Sequence, residues 1–179
     1  MATSLSYLVG QTLAWVPTAK FKDRYDLIGP GNSPVATLDM SNWTSKANAQ
    51  VPEGTLFLHK EGWTGLKVAV YSVEGGPLIA SYQRKWTGTS GQLSFADGRQ
   101  FKWGKANFWG TQKAWTDPTG KTAYVQLSTS SAGGFSRKSS VVVFPPAAEV
   151  LELSLLLTPP TMLPSVGGNV KRAVRSHGG

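Results

Sequence analysis

The stretch LSFADGRQFKW, Leu93 to Trp103, places Leu93 and Phe95 in alternation with polar residues before Asp97-Gly98, and Phe101 and Trp103 resume the alternation after it. A period of two puts these four side chains on one face of a pleated ribbon. Asp-Gly tolerates the positive φ angles of a two-residue primed turn, so the segment reads as a β-hairpin with one apolar face. Further along, Ala114-Trp115-Thr116 runs through Asp117-Pro118-Thr119-Gly120 into Tyr124-Val125-Gln126-Leu127, where Pro presets φ and Gly closes a second hairpin.

The same punctuation extends in both directions. Between Leu13 and Phe144, short runs rich in Val, Leu, Tyr, Phe and Trp are separated by turn formers such as GPGNSP (29–34) and EGG (74–76). Strands are expected near Tyr25–Ile28, Val35–Met40, Leu56–His59, Leu66–Ser72, Leu78–Gln83 and Val141–Phe144. No helical period intervenes, which favours antiparallel connections in a sandwich or barrel and disfavours a parallel α/β sheet. Seven Trp, seven Phe and five Tyr, with only 16% charged residues, suit the same architecture. At 179 residues with 40% apolar content, one domain is the default.

The character changes at Pro145-Pro146, after which AAEVLELSLLL (147–157) is rich in good helix formers. On a helix, Glu149 and Glu152 fall on one narrow stripe, and apolar side chains cover most of the remaining circumference. Such a helix, 147–157, must be buried nearly all round, as a plug inside a barrel or a cap over an open end. It is far short of the ~20 apolar residues that span a bilayer. The N-terminal residues MATSLSYLVGQTLAW lack the basic and apolar regions of a signal peptide and read as part of the fold. Beyond 166, the basic segment 167–179 has no apolar periodicity and reads as a disordered tail, leaving 1–166 as the domain.

In this order, the LSFADGRQFKW hairpin, Trp115 with DPTG and YVQL, the SSVVVF strand and the ELSLLL segment (152–157) resemble the tubby-like superfamily, in particular its small scramblase-like and LURP-one-like members. The resemblance implies a mainly β fold: a closed antiparallel barrel with a short hydrophobic C-terminal helix plugging or capping it. The sequence departs from that family at Thr158-Pro159-Pro160, which stops the helix early, since proline in a helix interior costs ~3 kcal/mol or more. The resemblance also implies a protein that binds anionic phospholipid head groups.

No catalytic pattern emerges. The chain has no cysteine and only His59 and His177, so thiolate chemistry and Cys-based zinc sites are excluded. His59, after LFL, reads as an ordinary strand-end residue. There is no nucleophile elbow, Walker loop or Gly-x-Gly-x-x-Gly, and the acidic pairs Asp23/Asp26 and Glu149/Glu152 lack a third metal ligand. A non-enzymatic binding or scaffold protein without metal or cofactor is expected.

What remains is charge, +8 overall, part of it from Lys171, Arg172 and Arg175 in the tail. On a strand, Lys20, Lys22 and Arg24 would share one face, with Phe21, Asp23 and Tyr25 on the other. Together with Arg84 and Lys85 they form the candidate anionic head-group site, and Arg99, Lys102, Lys105, Arg137 and Lys138 add further positive points. A basic rim attracts acidic lipid at roughly 1 kcal/mol per residue near the surface. The expected partner is therefore an anionic membrane surface or another protein, for a cytoplasmic protein peripheral to the membrane. Trp43, Trp63, Trp86, Trp103, Trp109 and Trp115 raise an alternative, an aromatic platform for carbohydrate or single-stranded nucleic acid. Nucleic acid ranks below lipid because no RNA-binding motif is present. Oligomeric state has no signature in the sequence.

Overall fold

Twelve strands run through the residues that a computed structural model of the chain describes, which are 5–18, 24–39, 46–52, 54–62, 66–87, 90–109, 111–129, 139–150 and 156–157. They are β1 (Thr12–Pro17), β2 (Arg24–Ile28), β3 (Pro34–Asp39), β4 (Lys46–Val51), β5 (Gly54–Glu61), β6 (Lys67–Tyr71), β7 (Leu78–Arg84), β8 (Gly91–Phe95), β9 (Gln100–Lys105), β10 (Gln112–Thr116), β11 (Ala123–Thr129) and β12 (Ser139–Val143). Each pairs antiparallel with the next, and β1 pairs with β12 from Thr12↔Val142 to Trp15↔Ser139, so the sheet closes into a barrel. Closure removes the unpaired edges that an open sheet would leave for aggregation.

Period-two alternation decides which side chains fill the barrel. Leu13 and Trp15, Ala47 and Ala49, Leu56 and Leu58, Leu93 and Phe95, Phe101 and Trp103, and Val141 and Val143 are buried, while most of their strand neighbours are Lys, Asn, Gln, Ser and Thr, with Val16, Phe57 and Val142 as apolar exceptions. An apolar interior and a mostly polar wall are the reverse of the pattern of a membrane-spanning barrel. No helix among the described residues is long and apolar enough to cross a membrane. Eight strands enclose a space that side chains just fill, so twelve leave more to occupy. Trp15, Trp103 and Trp115 occupy part of it.

The Asp-Gly hairpin forms as β8 and β9, but not through a two-residue primed turn. Ala96, Asp97 and Gly98 make a three-residue loop: Gly98 N–H donates to Phe95 O at 3.0 Å and Phe95 N–H to Arg99 O at 2.9 Å. Of these loop residues only Gly98 has positive φ, 96°. The Asp97 carboxylate accepts from Arg99 N–H at 3.0 Å and from Arg99 Nε at 2.7 Å, a side-chain grip on the backbone ahead that fixes this longer loop.

The helix expected over 147–157 is not formed as one element. Pro145–Glu149 is a 3-10 turn, and Val150 takes an extended conformation (φ −87°, ψ 108°), which interrupts any helix from Ala147. A β-branched residue favours that extended geometry. Residues 151–155 and Pro159-Pro160 lie outside the described residues. Leu156 and Leu157, the next described residues, have helical backbone. Burial, by contrast, agrees with the composition: Ala147, Val150, Leu156 and Leu157 all join the core. Trp15 Nε1 donates to Leu157 O at 2.9 Å inside it.

The segments that flank β1 and β12 meet at one end of the barrel. The 3-10 turn Leu5–Leu8 leads into β1 and the turn Pro145–Glu149 follows β12. The two turns touch each other, burying Leu5, Leu8 and Ala147 over the barrel interior.

Candidate anion-binding end of the barrel

The β1–β2, β3–β4, β5–β6, β7–β8, β9–β10 and β11–β12 connections emerge at the opposite end. Near it, four strands repeat one arrangement, a buried apolar side chain with a basic residue two positions closer to the end. They are Leu58-x-Lys60 on β5, Tyr82-x-Arg84 on β7, Trp103-x-Lys105 on β9 and Lys113-x-Trp115 on β10. Two positions along a strand return to the same face, so all four cations are in phase with the inward residues; Lys60, Arg84 and Lys113 are half-buried and Lys105 is exposed at the end of its strand.

Register brings three of them together. Lys113 lies directly opposite Lys105, two positions from the Trp115↔Trp103 pair, and Arg84 opposite Gly91, itself opposite Trp103. Directly opposed residues have Cβ atoms about 4.5–5.5 Å apart. Burial lowers the Lys113 ammonium below the usual lysine value, and repulsion from Arg84 and Lys105 lowers it further. Lys60 is lowered by burial as well. Among the described residues no carboxylate pairs with Lys105 or Lys113.

Beneath this cluster lies an aromatic layer. Trp103 and Trp115 stack obliquely, centroids 5.1 Å apart, and Tyr82 meets Trp115 edge-on at 5.9 Å. Tyr82 rests over Gly91, where a Cβ would collide with the phenol ring and hydroxyl. Burial pushes the Tyr82 hydroxyl up to about 12, so it stays a neutral donor. The Trp115 indole N–H is buried and makes no hydrogen bond among the described residues. An inward cation cluster over a polarised, water-poor layer can hold a multiply charged anion, because neither lysine has a competing internal carboxylate among the described residues.

The residues singled out in the sequence distribute unevenly. Arg84 and Lys85 stand at this end, Arg84 inward and Lys85 just beyond it, exposed. Arg24 starts β2 at the same end, but it points outward, since its neighbour Leu27 marks the inner face together with Tyr25. It also sits five strands away from β7 around the barrel. Lys20 and Lys22 lie outside the described residues, and β2 begins only at Arg24, so no three-cation strand face is described. Arg99 and Lys102 are not part of the cluster: Arg99 is at the far end, lying over the Phe95 ring at 4.5 Å, and Lys102 faces outward. Arg137 and Lys138 are outside the described residues. Lys113, which the sequence reading passed over, is central. Its signal was phase, a lysine in step with Trp115 on an otherwise apolar face.

Of the tryptophans, Trp103 and Trp115 are core, whereas Trp86 and Trp109 are exposed; Trp43 and Trp63 lie outside the described residues. His59 lines a groove of about 530 Å³ on the outer wall, with Phe57, Tyr71 and Glu74. Glu74 there is held by Lys46 Nζ at 2.9 Å, and that hydrogen bond, followed by the lysine charge, lowers its carboxyl. Among the described residues no three His, Asp or Glu side chains group as metal ligands.

No family model and no curated protein matches the chain. A protein of Arabidopsis thaliana known from an X-ray structure is similar in fold, with a TM-score of 0.50 and 11% identity over 88% of this chain and 100% of the other. At that identity the likeness speaks to the fold alone.

Proposed function

We propose that this chain is a non-enzymatic binding protein whose basic barrel end engages anionic phospholipid head groups at a membrane surface. The observation that carries the reading is the opposed Lys105–Lys113 pair with Arg84 beside it. Like charges directly across a ladder destabilise a sheet. A phosphate placed among them converts that repulsion into charge-assisted hydrogen bonds. Membership of the tubby-like superfamily belongs to the same proposal, supported by the closed antiparallel barrel and by the C-terminal Leu156 and Leu157 buried within it. So does a cytoplasmic, membrane-peripheral location, with scaffolding of another protein as a further use of the bound state.

The alternative, an aromatic platform for carbohydrate or single-stranded nucleic acid, rests on exposed Trp86 and Trp109. Phe108 and Trp109 stand edge to face, 84° apart, a wedge in place of a flat shelf for stacking. Lipid is therefore the better-supported ligand. Co-sedimentation with liposomes tests it: pelleting is expected with acidic phospholipid at low salt, weaker as salt rises, and absent with neutral lipid. Equal, negligible pelleting on both compositions removes the proposal.

A further inference from the structure

The basic end carries a second feature that charge does not explain. Trp86 is 86% exposed, Phe108 88% and Trp109 81%, the three most exposed large apolar side chains among the described residues. Trp86 sits on the β7–β8 connection, while Phe108 and Trp109 sit on the β9–β10 connection. Because β8 pairs with β9, the two hairpins are neighbours, their axes roughly 10 Å apart in the sheet at two strand spacings. None of the three packs against the core.

Bulky aromatics projecting together from adjacent loops mark a contact surface. Their chemistry selects the occupant. Trp and Phe settle at the boundary between lipid head groups and acyl chains, where an apolar ring can be buried and an indole N–H remain hydrated. Lys85 adjoins Trp86, and Lys105 and Lys113 flank the base of the other tip, the pairing of apolar insertion with phosphate attraction that anionic interfaces favour. A second copy docking end to end would bring like charges together, so self-association is disfavoured.

We infer that the β7–β8 and β9–β10 tips form a two-pronged wedge that inserts Trp86, Phe108 and Trp109 into the interface of an anionic bilayer. The wedge holds the barrel upright with its cation cluster level with the lipid phosphates. This rests on the lipid-binding reading and adds to it an apolar component of binding that salt does not screen.

The test compares the full chain with a tip variant (Trp86→Ser, Phe108→Ser, Trp109→Ser) and a cluster variant (Lys105→Gln, Lys113→Gln), each checked for native far-ultraviolet circular dichroism. Probes are phosphatidylcholine vesicles with and without phosphatidylserine, the same vesicles with brominated acyl chains, and soluble inositol hexakisphosphate. The expected results are quenching of tryptophan fluorescence by brominated acidic vesicles, lost in the tip variant. That variant should also partition at least about tenfold more weakly while binding inositol hexakisphosphate as before. The cluster variant should weaken binding to both probes. If the parent binds acidic vesicles without quenching and the tip variant binds equally well, the wedge is overturned and the head-group reading stands. Absence of vesicle binding by the parent overturns both. Tip-dependent self-association, or a tip-tryptophan response to oligonucleotides or glycans without vesicle binding, overturns the wedge in favour of that partner.

Discussion

The two ends of the barrel are built from the same strands but spend their residues differently. At one end, two 3-10 turns bury Leu5, Leu8 and Ala147, and the turns that project beyond are held by acids. The Asp117 carboxylate accepts from the Thr119 hydroxyl at 2.6 Å and from the Thr122 and Lys121 N–H groups at 3.0 and 2.9 Å, and Asp97 grips Arg99. At the other end, cations face one another on the inner wall and three aromatic rings stand in solvent. The first arrangement satisfies its own groups. The second leaves large apolar rings exposed and sets Lys105 against Lys113 with no carboxylate among the described residues pairing with either, an arrangement that costs the fold stability.

Truncating the sealed end should damage stability and spare binding. Leu8→Ala removes a fully buried side chain and should lower the melting temperature by roughly 5–15 °C, the range set by about 2–5 kcal/mol in a chain of this length. Thermal circular dichroism measures the loss, and unchanged pelleting with acidic vesicles below the transition completes the comparison. A melting temperature within a degree of the parent would show that the 3-10 turns do not seal the core.

The opposite outcome is expected at the basic end. Lys113→Met relieves the repulsion from Arg84 and Lys105 and suits the half-buried site. It should raise the melting temperature by about 1–4 °C, corresponding to roughly 0.2–1 kcal/mol, while weakening vesicle binding. A variant both less stable and fully competent to bind would erase the contrast between the ends.

The smallest effect concerns acid. Hydrogen bonds from the Thr119 hydroxyl and then the Thr122 N–H hold the Asp117 carboxyl below the usual value. A folded-state value depressed in this way contributes stability that is complete above the unfolded value near ~3.9 and is lost as pH falls through the lowered folded value. Asp117→Asn should therefore flatten the decline in melting temperature below about pH 4 and leave pH 7 binding unaltered. An acid limb as steep as the parent's would assign acid sensitivity to other carboxylates.

Much of the fold was legible because large residues mark its period. Phe95, Phe101 and Trp103 announce β8 and β9, and Asp117-Pro118-Thr119-Gly120 announces the turn into β11. Strand β4 was not: its inward residues are Ala47 and Ala49 and its outward ones Lys46, Asn48 and Gln50, types poor in strands, so only the alternation betrays it. At the C-terminus, apolar composition fixed the burial of Leu156 and Leu157 but not the conformation between, because Val150 extends where helix formers surround it. The candidate site was half legible for a similar reason. Basic residues adjacent in sequence, such as Lys20, Lys22 and Arg24, drew the eye, whereas the structure groups cations that are distant in sequence and share a phase, Arg84, Lys105 and Lys113.

The bond from Trp15 to the Leu157 carbonyl, across 142 positions of chain, has a consequence for biosynthesis. On the ribosome β1 emerges early with a free edge, and hairpins from β2 onward can zip up in order of appearance. The seam with β12 and the latch at Leu157 wait until the 142 positions separating Trp15 from Leu157 have been made, and at about 5–20 residues per second that is many seconds of exposure. The nascent protein should therefore depend on holdase chaperones, and depleting them should lower its soluble yield.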